Sequence, residues 1–228
     1  MAKPRTSKIK KINNRDRIAF EAIAKGGTIA KDDLHSIISK TRASHWEHDK
    51  YFKSICWNDN NNNRYEGYSL TTEGKKYAER QFGITSCTKA KASSIMHDLK
   101  IGEKVLSIPE EDRSSIKTED QLWGKFYEEL RNRKEHIEEL EEKRLEPSLS
   151  RQEREQYSQE WQREENEYNR IEEMLKNGEI STPDIAYTNE HGVEICYEVL
   201  TTNYSRTDIE AKHEFARVLG MEIEFEQV

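Results

Sequence analysis

Residues 179–228 read EISTPDIAYTNEHGVEICYEVLTTNYSRTDIEAKHEFARVLGMEIEFEQV, and their order decides the expected fold of the C-terminal part. Residues 180–187 have the look of a strand, and residues 188–192 supply polar turn chemistry ending in Gly192. In residues 193–200, apolar Val193, Ile195, Tyr197 and Val199 alternate with Glu194, Cys196, Glu198 and Leu200, the period of a second strand. Together they predict a hairpin. Thr207 is placed to N-cap the following helix, with Glu210 as its capping-box partner, and Gly220 ends that helix before a short alternating strand at 221–226.

Asp184 follows Pro183 on the first strand, and hairpin pairing brings Glu198 on the second strand close to it. Two carboxylates converging from adjacent strands make a hard oxygen site of the kind that holds Mg²⁺ beside a phosphodiester. A Glu on the polar face of an alternating strand is otherwise a solvated side chain. The arrangement resembles the PD-(D/E)xK nuclease-like superfamily, in which a helix precedes a small mixed sheet and another helix, with Pro-Asp on one strand and Glu-x-Lys on the next. Pro183-Asp184 matches the first half, whereas Leu200 stands where the lysine of the second half falls. The resemblance implies catalysis and Mg²⁺ binding by Asp184 and Glu198 if the site is active. The missing lysine, which positions or activates the attacking water in that family, implies an inactive site with no cofactor. Lys212 lies on one helical stripe with Ile209, Ala216 and Leu219. It is either a migrated catalytic lysine or a side chain that snorkels to the surface.

Across its 228 residues the chain is 36% charged and 33% hydrophobic, which suits modest cores and long solvated helices better than one thick core. No run is apolar enough to span a membrane, and the basic start MAKPRTSKIKK is not followed by an apolar stretch, so a cytoplasmic protein without a membrane partner is expected. Cys56, Cys87 and Cys196 have unrelated spacings that indicate neither disulfides nor a zinc site, and His45 and His48 beside Cys56 fall short of four ligands. Residues 1–84 carry 17 Lys and Arg against 10 Asp and Glu, a balance of +7, and the remaining residues carry 20 against 34, a balance of -14. Charge divided in this way points the N-terminal third at an acidic partner.

Residues 1–13 read as a flexible basic arm including Lys10 and Lys11. A helix is expected from Asn14 as N-cap to Gly26-Gly27, then one at 30–39 and one at 41–53 with Trp46 and Phe52 on its buried face. The asparagine-rich run at 58–63 separates two aromatic-rich strands as a hairpin loop, and a closing helix covers 72–82. Three helices, a hairpin and a helix, ending in Leu70-Thr71-Thr72-Glu73-Gly74, resemble a winged helix-turn-helix domain. That resemblance implies double-stranded DNA as partner, with Arg42, His45, Lys50 and Lys53 on or beside the recognition helix and Arg64 at the wing. Winged domains also serve as protein-docking modules; the basic balance favours DNA.

A linker opens residues 85–117, followed by a helix that carries SIMHDLKIGEKVLSI. That phrase resembles the first core helix of mobile-element proteins, described as replication-relaxation-like, that join a winged domain to a nuclease-like core. His97 and Asp98 are placed to approach Asp184 and Glu198, or to form a surface pair. Between this helix and the strand pair, residues 118–177 carry Trp123, Phe126, Leu130, Ile137 and Leu140 at coiled-coil spacing with a polar layer near Arg133. After Pro147 the pattern resumes with Tyr157, Trp161, Tyr168, Ile171 and Leu175. An antiparallel helical hairpin follows, either a solvated arm or a docking surface for another protein or a second copy.

The expected fold is α+β. A winged helix-turn-helix domain (14–84) precedes a linker and first core helix (85–117), the inserted hairpin (118–177) and a PD-(D/E)xK-like strand-strand-helix-strand core (178–228). The expected function is that of a DNA-binding accessory protein of a plasmid, phage or integrative element, acting at an origin of transfer or replication. A Mg²⁺-dependent endonuclease and a protein-interaction module are the competing readings.

Overall fold

The computed structural model describes residues 7–9, 11–58, 62–88 and 95–228. Lys10, part of the Asn58–Asn63 loop and the expected start of the core helix lie outside the described residues.

Asn13 rather than Asn14 caps α1 (Asn14–Gly26), through a capping box in which the Asn13 side chain accepts from Asp16 N–H and Asp16 accepts from Asn13 N–H. The buried Asp16 then takes the guanidinium of Arg42 at 2.8 and 2.5 Å and the Trp46 indole N–H at 2.9 Å. Burial alone would raise its pKa, but these donors outweigh that and lower it. A strand that periodicity did not reveal, β1 (Thr28–Ala30), precedes α2 (Lys31–Ile37) and α3 (Lys40–His48). The hairpin of β2 (Phe52–Asn58) and β3 (Arg64–Leu70) is followed by α4 (Thr72–Phe82). The sheet order β1-β3-β2 is antiparallel throughout, and Phe20, Trp46, Phe52 and Ile29 fill the core beneath it. This is a helix, hairpin and wing arrangement.

The third helix is shorter than expected. Tyr51 N–H reaches back to Trp46 C=O at 3.0 Å and Lys50 adopts a left-handed φ of 67°, a C-terminal closure that ends α3 at His48. Lys50 therefore sits in a turn, and Lys53 on β2.

Residues 7–9 are tethered to Asp49, whose carboxylate accepts from Lys8 N–H and Ile9 N–H and from the Ser7 hydroxyl at 2.7 Å. Burial opposes ionisation of Asp49, yet hydrogen bonds from His48, Ser7 and those backbone amides hold its pKa at about 2. A folded pKa below the ordinary carboxylate value gives stability that is present above that ordinary value and is lost as pH falls through the folded one. Asp49→Asn should therefore remove part of the acid sensitivity between about pH 4 and pH 2. Denaturant titrations at several pH values check it, and an unchanged profile in the variant would contradict the tether.

The C-terminal part begins with α5 (Ile95–Ser107), which packs against α1 and β1 on one side and against the second sheet on the other. That sheet runs β4-β5-β6-β7, where β4 is Lys117–Thr118, β5 Ile185–Thr188, β6 Glu194–Leu200 and β7 Glu222–Gln227. Its first two pairings are antiparallel, and β6-β7 is parallel, crossed by α8 (Arg206–Val218). The expected hairpin is present, but its first strand starts only at Ile185. Ser205 and Asp208, two residues earlier than Thr207 and Glu210, form the capping box of α8. Ser205 is the last extended residue, and an N-cap needs non-helical backbone.

Between β4 and β5 stand α6 (Glu119–Arg144) and α7 (Arg151–Asn177), a long pair of helices packed along each other. Arg133 pairs with Glu129 at 2.9 Å and faces Glu164 across the seam at 3.7 Å, which is the polar layer. The base of the hairpin is not separable from the core. Leu122, Phe126, Leu130 and Ile171 pack with Phe215, Ala216 and Ile180 in one apolar cluster, and Phe126 stacks on Phe215 at 4.9 Å. A second cluster runs without a break from Ala19 in α1 through Ile101 and Val105 in α5 to Tyr197 and Val199 in β6. The winged part and the second sheet thus share one core through α5.

Candidate functional site

The β5-β6 ladder pairs Ile185 with Tyr197, and the next rung sets Asp184 opposite Glu198. There the two side chains replace the ladder. Asp184 N–H donates to Glu198 Oε2 at 2.8 Å, and Val199 N–H donates to Asp184 Oδ2 at 2.9 Å. The carboxylates therefore converge, as the strand pattern implied, and each satisfies a backbone donor at the end of the sheet.

Lys212 joins them. Its stripe on α8 faces the sheet, and the ammonium lies 3.0 Å from Glu198 Oε1 while donating to Thr182 C=O. It is buried and does not reach the surface, because burial of the Glu198 carboxylate at 0% exposure demands a cation. From α5, His97 Nε2 lies 3.0 Å from Asp184 Oδ2, with Asp98 beside its other nitrogen at 3.4 Å. His97 and Asp98 are both buried because α5 is covered on two sides, which corrects the surface-pair alternative.

Tyr204, which no periodicity singled out, donates its hydroxyl to Glu198 Oε1 from the loop between β6 and α8. Nothing in the polar phrase at 201–205 marks it beyond being its one large side chain. Burial and the neighbouring carboxylates push its phenol upward, so it stays a donor. Burial and the charge of Asp184 push Glu198 upward as well, with Lys212 and Tyr204 pulling it back.

A divalent cation fits this arrangement poorly. Glu198 accepts from Tyr204, Lys212 and the Asp184 amide, and Asp184 accepts from Val199 N–H with the His97 ring against the same oxygen. A hard cation needs those lone pairs. Among the described residues no group of three or more His, Cys, Asp or Glu is arranged to hold a metal ion.

The expected DNA contacts are dispersed over the winged part. Arg42 is engaged internally, by Asp16 and by Lys11 C=O at 2.5 Å, because the buried Asp16 carboxylate needs its charge. Its forked donors serve the interior of the domain. His45 is half-buried on α3, Lys50 and Lys53 are exposed, and Arg64 is 67% exposed at the wing. Lys11 is exposed.

No protein-family model and no curated protein sequence matches the chain. Among solved structures, the chain is similar to Bacillus subtilis PadR in complex with operator DNA, at 13% identity and a TM-score of 0.26, over 73% of this chain and 99% of that one. A score that low does not establish a shared fold. Among the described residues no helix is long and apolar enough to cross a membrane.

Proposed function

We propose that this chain is a DNA-binding accessory protein of a mobile genetic element, a plasmid, phage or integrative element, acting at an origin of transfer or replication. One observation carries the DNA-binding part: α3 packs against β2 of the β2-β3 wing, with the exposed cations Lys50, Lys53 and Arg64 on those strands and the turn before them. The excess of positive charge in residues 1–84 supports it. Lys11 adds to that surface. The mobile-element role rests on the resemblance of the joined winged and nuclease-like parts, and a cytoplasmic location goes with it.

The C-terminal half is read as a PD-(D/E)xK-like core kept as a platform. Helix α5, strand β4, the strand pair, α8 and β7 follow the order of that core, with the α6-α7 hairpin inserted after β4. The hairpin beyond Arg133 is open to another protein or a second copy. Glu198 spends both oxygens and Asp184 its Oδ2 on protein donors, which supports an inactive site.

The second reading is a Mg²⁺-dependent endonuclease, favoured by the 3.0 Å approach of Lys212 to Glu198. That reading requires Asp184 and Glu198 to give up their present donors to a cation, with Lys212 the residue to orient water.

The full chain should bind duplex DNA with an affinity that falls steeply as salt rises. It should leave supercoiled and linear DNA uncut in Mg²⁺ or Mn²⁺. A salt-independent affinity would sink the first statement. Nicking that disappears in Asp184→Ala, Glu198→Ala and Lys212→Ala would replace the accessory role with the nuclease.

A further inference from the structure

The wing carries a carboxylate in an unexpected place. Glu66 on β3 is ion-paired to Lys31 at the start of α2 and to Arg64 at 2.9 Å, and Lys40 lines the same groove. Two hollows lie against Arg64. One of about 430 Å³ is bordered by Lys31, Lys40, Tyr65 and Leu99, and one of about 270 Å³ by Lys31, Ser54, Cys56 and Tyr68. Lys31, Arg64 and Glu66 border both. Mutual pairing raises Lys31 and lowers Glu66, so both stay charged at neutral pH.

We propose that this groove is a second contact for the DNA backbone and that Glu66 occupies the phosphate position in the free protein. The inference rests on the DNA-binding reading and adds a site to it. A phosphodiester oxygen and a carboxylate oxygen present the same acceptor to an ammonium and a guanidinium. All three partners remain partly exposed, Lys31 at 42%, Glu66 at 33% and Arg64 at 67%, so solvent and a strand can reach the pair. An exposed pair of this kind contributes little to folding, so exchanging one anion for another costs the protein little. Glu66 then sets affinity. It cancels cations that would otherwise release counterions from DNA, and it repels a backbone that fails to displace it.

The experiment measures binding of the full chain to a short duplex of arbitrary sequence across a salt series, because backbone contacts carry no sequence information. Glu66→Gln should bind roughly three- to tenfold more tightly at low salt. Its plot of log affinity against log salt should be steeper by about 0.9 for each cation transferred from Glu66 to phosphate. In a Lys31→Met/Arg64→Met background the gain from Glu66→Gln should vanish. An unchanged affinity and slope in Glu66→Gln, with the parent protein binding normally, overturns this site and leaves the DNA-binding reading standing. A gain that survives loss of both cations overturns it too, since general charge reduction would then explain the effect. Absence of binding in parent and variant alike overturns both readings together.

Discussion

Replacing Lys212 with methionine is expected to destabilise the fold by about 3–5 kcal/mol, the usual cost of stranding one member of a buried ion pair. The Glu198 carboxylate is wholly buried, and the Lys212 ammonium is the cation beside it at 3.0 Å. Tyr204 and the Asp184 amide supply hydrogen bonds, but neither carries a compensating charge. Methionine keeps most of the apolar stem, so lost packing adds little. The pH dependence provides the second readout. Burial already pushes the folded pKa of Glu198 upward, and losing the ammonium pushes it further. A carboxyl with a raised folded pKa contributes stability below its unfolded pKa and loses it as pH rises through the folded one. The deficit of Lys212→Met should thus shrink in acid and grow toward neutrality. Adding Glu198→Gln should recover a large part of it. Chemical denaturation at two pH values decides the matter, and a deficit below about 1 kcal/mol at neutral pH would show that the cluster is solvated in solution.

Gly102→Ala should also destabilise the protein, against the trend for an ordinary helix position. In the interior of α5, alanine would gain about 1 kcal/mol over glycine from helix propensity. Its Cβ, however, would lie 2.4 Å from Thr28 C=O and 3.3 Å from Ile29 Cγ1. Gly26 meets the same contact from the other side, since a Cβ there would come within 2.7 Å of Gly102 Cα. Backbone on both sides leaves no flexible side chain to yield, so overpacking of about 3 kcal/mol outweighs the gain. A net loss of about 2 kcal/mol is expected. Because α5 belongs to the core that joins the winged part to the second sheet, the loss should appear as one shifted unfolding transition. Two separated transitions, with only one of them moved, would show that the halves fold independently.

Local patterns that depend on one element and its period were legible in the sequence. The strand β6, the closing helix α4, the long pair α6 and α7 and the ion pair at Arg133 all appear where spacing placed them, although β6 is buried on both faces rather than on alternate residues. Convergence of Asp184 and Glu198 was also legible, because a hairpin fixes cross-strand neighbours once its turn is found. Element ends were read less well. The start of α8 moved to Ser205 and α3 stopped at His48, since caps and left-handed closures are single-residue events that several neighbouring polar residues can perform. The strand β1 escaped notice because three residues are too few to show a period, and only pairing with β3 defines it.

Tertiary structure alone decided which charged side chains lie inside. Lys212 was open to two readings as a residue on a helix, and Arg42 was read as a DNA contact. Arg42 turns to Asp16 because a carboxylate buried in the first turn of a helix requires a partner, and Lys212 turns to Glu198 because it too is a buried carboxylate. His97 and Asp98 are buried because α5 is covered from both sides by segments far away in sequence. The sequence by itself determined the helices, the two strand pairs and the last strand, their order, and the two carboxylates at one sheet end. It could not determine that Tyr204 and His97 complete the cluster, nor that the base of the hairpin and the winged part share cores with the second sheet. Periodicity reports which face of an element is apolar, whereas the partner that covers that face is chosen only when distant segments compete to exclude water from it.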